Sequence, residues 1–250
     1  MNTAAVSYQP RLYRNWTRDK DLVSCTVVSG QTDLCIRAKT DLRSRAAKAL
    51  AKYRAQLERY IERHPEFGIA LAPIPAASDA PEIVKAMARA AGLAGVGPMA
   101  AVAGAIAGFV GRDMSKYSEE VIVENGGDIF LQSRRKRLVG VFAGDSPLSG
   151  KIGLDIQPEE TPLGICTSSG TVGHSLSFGK ADACIVMSPC VEFADAMATA
   201  LGNRIMTPAD IPAAIDAARV MSEVTGVVII KGDQMGVWGK VKLVPQVDRE

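Results

Sequence analysis

The chain has 250 residues, of which 47% are hydrophobic, 22% charged and 5% aromatic. That length buries roughly 70–75% of the unfolded surface without disulfide staples, and the composition excludes a mainly disordered, collagen-like or coiled-coil state. The net charge is only +2, but residues 1–64 hold 13 basic and 6 acidic residues, a local excess that reads as a basic outer helix face. Its aromatics are not interleaved in the pattern that base stacking needs, so no nucleic-acid partner is expected.

Taken in chain order, Val6–Arg14, Leu22–Val28 and Leu34–Ala38 read as strands, with Gly30–Asp33 turning between the last two. Asp41 opens a long helix: Leu42, Ala46, Leu50, Tyr53, Leu57, Ile61 and His64 recur at steps of three and four, and Pro65 stops it. His64 sits at the C-terminal end of that stripe, a packing or capping position. Pro73 and Pro75 mark a linker. A second helix is expected from Asp79 or Ala80 to about Leu93. A glycine-rich turn (Gly92, Gly95, Gly97) follows, then a third helix from Met99 to about Val110 with Pro98 in its first turn. Between Arg89 and Arg112 lie 22 uncharged residues. The stretch is long enough to span a bilayer but is mostly Ala and Gly, and it reads as a buried turn and helix with no membrane partner.

Strands are next expected at Glu120–Glu124, Ile129–Gln132, Leu138–Ala143, Lys151–Ile156, Leu163–Thr167 and Asp182–Met187. The Arg134–Arg137 run is expected to be a solvated turn at a hairpin tip. Phe193–Leu201 is a short Ala-rich helix ending at Gly202-Asn203. Thr207-Pro208 with Asp210 opens a last helix to about Glu223, and Gly226–Lys231 with Val237–Val244 closes the chain as a hairpin. Segregated helices and antiparallel-looking strands define an α+β fold. Both Ala-rich helices lie in strand–helix–strand settings, which suggests an internal duplication.

Five cysteines without a C-x-x-C pair, most of them in apolar runs, read as small hydrophobes in a reducing cytoplasm. The first nineteen residues contain no apolar signal-peptide core, which agrees with a cytoplasmic location. Two motif matches are rejected. Gly95-Val96-Gly97-Pro98-Met99-Ala100 follows a helix where a Rossmann turn must follow a strand. Gly173 to Gly179-Lys180 is one residue too long for a phosphate loop and has Ala181 where Ser or Thr should hold magnesium.

Three other segments carry chemistry. Glu124-Asn125-Gly126-Gly127-Asp128 joins two strands, and it reads either as a plain hairpin turn or as one that sets amide, carboxylate and backbone N–H at a strand mouth. Thr167-Ser168-Ser169-Gly170-Thr171 follows a strand, and its hydroxyls and N–H groups suit either a simple polar loop or a diphosphate cradle. His174 comes directly after it on a polar loop and is the candidate proton-transfer group. In Ala194-Asp195-Ala196-Met197-Ala198-Thr199-Ala200, Asp195 and Thr199 share one helical face. They read either as a cap on their own helix or as two hard oxygen ligands for magnesium whose shell is completed by water and phosphate.

Together these segments resemble the ApbE superfamily, the FAD:protein FMN transferases. The likeness is closer to a shorter ApbE-like branch, carried by residues 96–104, 124–128, 168–182 and 194–199, by Arg11-x-Tyr13-Arg14 and by His64-Pro65-Glu66-Phe67. The resemblance implies a single ApbE-like domain over residues 1–250 with two pseudo-equivalent halves of the T-fold kind, antiparallel sheets and Ala-rich buried helices. It implies FAD between the halves, lined by Asn125, Gly126, Gly127, Asp128, Thr167, Ser168, Ser169, Gly170 and Met99. Magnesium would be held by Asp195, Thr199 and the Ala100 carbonyl, and a protein acceptor would receive FMN with release of AMP. The transferases carry a lysine in the segment matching Gly97-Pro98-Met99-Ala100-Ala101, and this chain has none there. Two alternatives follow: a non-catalytic flavin or nucleotide-binding protein, or another small-molecule enzyme on the same scaffold.

Overall fold

The computed structural model describes residues 20–172 and 177–246. The strand expected at Val6–Arg14, and His174, lie outside the described residues. Strands β1 (Val23–Ser29) and β2 (Thr32–Ala38) form a hairpin. Four helices follow: α1 (Arg43–Arg63), α2 (Pro65–Ile69), α3 (Glu82–Ala94) and α4 (Val102–Met114). α1 buries Ala46, Ala49, Leu50, Tyr53, Leu57 and Tyr60, close to the stripe read from the sequence. It ends at His64, whose ring stacks on Tyr60 at 4.4 Å. A 3-10 turn, Pro98–Ala101, precedes α4, because Pro98 and the Gly95–Gly97 corner redirect the chain. α3 and the segment from Pro98 to Met114 meet at 106°, and no single helix among the described residues is long and apolar enough to cross a membrane.

Next come β3 (Val121–Asn125), β4 (Asp128–Gln132), β5 (Arg137–Gly140), β6 (Ile152–Ile156), β7 (Leu163–Ser168) and β8 (Ala183–Ser188). The chain closes with α5 (Val191–Gly202), α6 (Ile211–Arg219), β9 (Gly226–Lys231), β10 (Gln234–Gly239) and β11 (Leu243–Pro245). Eight strands build one sheet in the order β1-β2-β3-β4-β7-β8-β9-β10, every neighbour antiparallel. Two runs of four strands therefore stand side by side, joined at β4 and β7. In each run the helices are inserted between the second and third strand: α1–α4 in the first, α5 and α6 in the second.

Both faces of this sheet are apolar. Val123, Phe130, Cys166, Val186 and Ile229 face the helices. Ile122, Leu131, Ile165, Ile185 and Ile230 face a second, three-stranded sheet of order β11-β6-β5, where Leu154 and Ile156 complete the packing. Burial on both faces explains why β8 and β9 read as continuous apolar runs without alternation. α4 and α5 cross closely because α4 presents glycine there. A Cβ on Gly104 would lie 2.6 Å from the Asp195 Cβ and 2.8 Å from the Val191 carbonyl oxygen.

The second sheet corrects two sequence expectations. Arg134–Arg137 is not a hairpin tip, because it carries the chain from the large sheet to the small one, and Arg137 opens β5 with only 5% exposure. The final strand does not complete a hairpin with β9. β10 does that, and β11 crosses to pair with β6. Boundaries also move: the third helix runs on to Met114, the last helix stops at Arg219, and the strand expected to reach Ala143 ends at Gly140, while the short helix α2 after Pro65 is not among the expected elements.

Candidate functional site

At the end of the large sheet a cavity of about 1350 Å³ runs from the β1–β2 hairpin and α1, past the β3–β4 turn, the end of β7, the 3-10 turn before α4 and one face of α5, to β5 of the small sheet. Gly126 and Gly127 make the two-residue turn, both with positive φ (68° and 106°), so glycine is required there on backbone grounds. The plain hairpin reading of this segment is therefore right, and the same turn also lines the cavity. Its flanks are pinned inward: the Asn125 side-chain amide donates to the Ala103 carbonyl at 3.1 Å, and the Glu124 carboxylate accepts the Gly127 N–H at 3.0 Å. Asp128 accepts the Thr167 N–H at 3.3 Å, which ties the turn to β7.

Asp195 projects from the second turn of α5 into the same space and is 9% exposed. It does not cap its own helix. Its Oδ2 accepts the Gly104 N–H at 2.7 Å, so it anchors the N-terminal end of α4. Burial pushes the Asp195 carboxyl well above the usual carboxylate range, and repulsion from Asp128 adds to this, although the N–H groups of Gly104 and Ala103 oppose it. Burial and mutual repulsion thus work against ionising both carboxylates at once, a cost that a bound cation would offset. Thr199, one turn further along α5, lines the cavity, as do Met99 and Ala100 from the 3-10 turn. No cluster of three or more His, Cys, Asp or Glu suited to a metal occurs among the described residues. Asp195, Thr199 and Ala100 are the cavity residues that could offer oxygen ligands to a magnesium ion completed by phosphate oxygens.

The Thr167–Gly170 loop divides. Thr167, Ser168 and Ser169 line the cavity, with the Ser169 hydroxyl accepting the N–H groups of Thr171 and Val172. Gly170 does not line it. A Cβ there would sit 2.0 Å from the Gly179 carbonyl oxygen, so this glycine serves a backbone-on-backbone contact. Sequence reasoning missed Asn203 and Phe178, which also line the cavity. Asp195, Thr199 and Asn203 fall at i, i+4 and i+8, and that spacing was the available signal for Asn203. Among the cavity-lining residues none is a lysine.

Gly104 tests this arrangement directly. Gly104→Ala is expected to cost about 1–3 kcal/mol by forcing α4 off α5. Urea denaturation reads the change, and an unchanged midpoint would contradict the close helix crossing.

The fold is that of the ApbE flavin transferases. It matches the apo flavinyl transferase ApbE of Pseudomonas stutzeri with a TM-score of 0.58 at 11% identity, covering 87% of this chain and 93% of that one. The flavin transferase ApbE of Vibrio cholerae gives 0.57 at 10% identity, covering 87% and 96%. In sequence the chain is 47% identical over 191 residues to a UPF0280 protein of Methanocella arvoryzae, covering 76% of this chain and 78% of that one. It is 39% identical over 226 residues to a UPF0280 protein of Methanococcus aeolicus, covering 88% and 91%. A family model described as AbpE bacteria matches residues 14–229, and the chain belongs to that family within the ApbE-like superfamily.

Proposed function

We propose that this protein binds FAD with magnesium and transfers its FMN moiety to a protein acceptor, releasing AMP. The observation that carries this reading is the proximity of Asp195 to Asp128 at a cavity that Thr199, Ala100 and Thr167–Ser169 also line. Asp195, Thr199 and Ala100 would hold the metal, which offsets diphosphate charge as a Lewis acid. Asn125–Asp128, Met99 and the Thr167–Gly170 loop form the flavin-nucleotide wall, Gly170 acting through its backbone packing. His174 is assigned the proton transfer. The transferase fold and a cavity larger than the 300–1,000 Å³ of most ligand pockets support a dinucleotide ligand.

In the same reading, residues 1–250 act as one ApbE-like unit, and its two ββ–helix–ββ halves are of the T-fold kind. The site of action is the cytoplasm, consistent with five unpaired thiols. The absence of lysine from the cavity lining favours a second reading, a flavin-binding protein that performs no transfer. Flavin fluorescence titration with and without magnesium tests binding, and AMP release tests transfer. Micromolar FAD binding that needs magnesium is expected. Its failure would remove both readings, and binding without AMP release in the presence of an acceptor would select the second.

A further inference from the structure

Phe178 is 58% exposed and lines the same cavity as Ser168, Ser169, Thr199 and Asn203. Its backbone is held from several sides. The Asn203 side-chain oxygen accepts the Phe178 N–H at 2.9 Å, and Lys180 N–H donates to the Ile205 carbonyl at 2.6 Å. The strap is also clamped between two backbones. A Cβ on Gly170 would meet the Gly179 oxygen at 2.0 Å, and a Cβ on Gly179 would meet the Gly202 oxygen at 2.0 Å. Gly170 and Gly179 thus seat residues 178–180 between the hydroxyl loop and the end of α5. A large ring left in water on so firm an anchor, facing a cavity, has unused stacking surface.

Asn203 continues the helical face of Asp195 and Thr199, about 12 Å along the axis from Asp195 and about 6 Å from Thr199. One rigid helix therefore carries the proposed cation ligands at one point and the anchor of the ring at another. We propose that Phe178 is the stacking platform for a planar heteroaromatic ring of the bound nucleotide, one sugar-length spacer away from the diphosphate. This rests on the flavin-nucleotide reading above. The ring is that of adenine or of isoalloxazine, and the experiment distinguishes the two.

Wild-type protein and the variants Phe178→Ala, Phe178→Leu and Phe178→Trp are titrated with FAD, ADP and FMN in magnesium, after equal melting temperatures are verified. Loss of one stacked ring weakens binding roughly 5- to 100-fold. Phe178→Ala and Phe178→Leu are expected to weaken FAD by that factor, while Phe178→Trp keeps or improves it. An accompanying loss for ADP places adenine on the ring; a loss for FMN places isoalloxazine there. The magnesium dependence should survive in Phe178→Ala, because Asp195 and Thr199 are untouched. Unchanged FAD binding in Phe178→Ala overturns the platform, and so does leucine performing as well as phenylalanine. If magnesium dependence disappears with Phe178→Ala, the residue supports the metal site, which also overturns it. Wild-type protein that binds ADP but neither flavin refutes the flavin reading alone, and the platform is then decided on ADP. Wild-type protein that binds none of the three refutes both.

Discussion

Replacing Asp195 by asparagine is expected to abolish the magnesium-dependent part of FAD binding while leaving the fold intact. Asparagine keeps an oxygen that can accept the Gly104 N–H, so the anchor between α5 and α4 survives. What disappears is the charge that a cation would meet. Removing one partner of a buried charge pair costs about 2 kcal/mol or more, roughly 30-fold in Kd. The same change relieves repulsion with Asp128 in the free protein, so its melting temperature should hold or rise. A purely structural Asp195 makes the opposite forecast: lower stability and an unaltered magnesium effect. Calorimetric titration of FAD with and without magnesium, paired with thermal melts of the free protein, separates them.

Arg137→Ala is expected to destabilise the protein by about 3–5 kcal/mol, the cost of leaving a buried charge without its partner. Arg137 donates to Glu120 at 2.6 Å, to Asp21 at 2.8 and 3.1 Å and to the Ser133 hydroxyl at 2.9 Å. It binds the crossover between the sheets to the segment just before β1. Hydrogen bonds from Arg137 and then Lys39 hold the Asp21 carboxyl well below its ordinary value. Burial pushes Glu120 up, but hydrogen bonds from Arg137, Ser133 and the Arg134 N–H outweigh it and leave its carboxyl lowered. A lowered folded-state pKa contributes stability that is complete above the unfolded values, about 3.9 for Asp and 4.3 for Glu. That contribution fades as pH drops through the lower folded values. Wild-type stability should therefore decline below about pH 4, and Arg137→Ala should decline less steeply there. Urea denaturation at pH 7, 4 and 3 provides the comparison, and parallel curves for the two proteins would sink the assignment.

Much of the candidate site is legible in the sequence because its signals are local. Asn-Gly-Gly-Asp between two apolar runs is a tight turn by backbone chemistry alone, and Gly126 and Gly127 adopt the positive φ that it demands. Asp195 and Thr199 share a face through helical periodicity whatever surrounds the helix. Gly170 shows where local reading stops: its motif suggested a ligand contact, whereas its lack of a side chain serves the Gly179 backbone, nine residues away. Phe178 gave no sequence signal, since an aromatic in a polar loop gains a role only when Asn203 and the glycine stack hold it where it lines a cavity.

Most elements between β1 and β9, both Ala-rich helices and the turn chemistry of Asn125–Asp128 followed from the sequence, because capping, turn residues and hydrophobic period act over a few neighbouring residues; α2 after Pro65 and the split of the last strand into β10 and β11 did not. Tertiary structure alone decided three matters: that Arg137 leaves the large sheet to open a second one, that β11 crosses to join it, and that Asp195 anchors α4 rather than α5. Each depends on which distant backbone groups and charges come within hydrogen-bonding reach once two apolar sheet faces are covered. Pairing across 91 residues, as between Gly104 and Asp195, is set by packing and leaves no periodic trace in the chain.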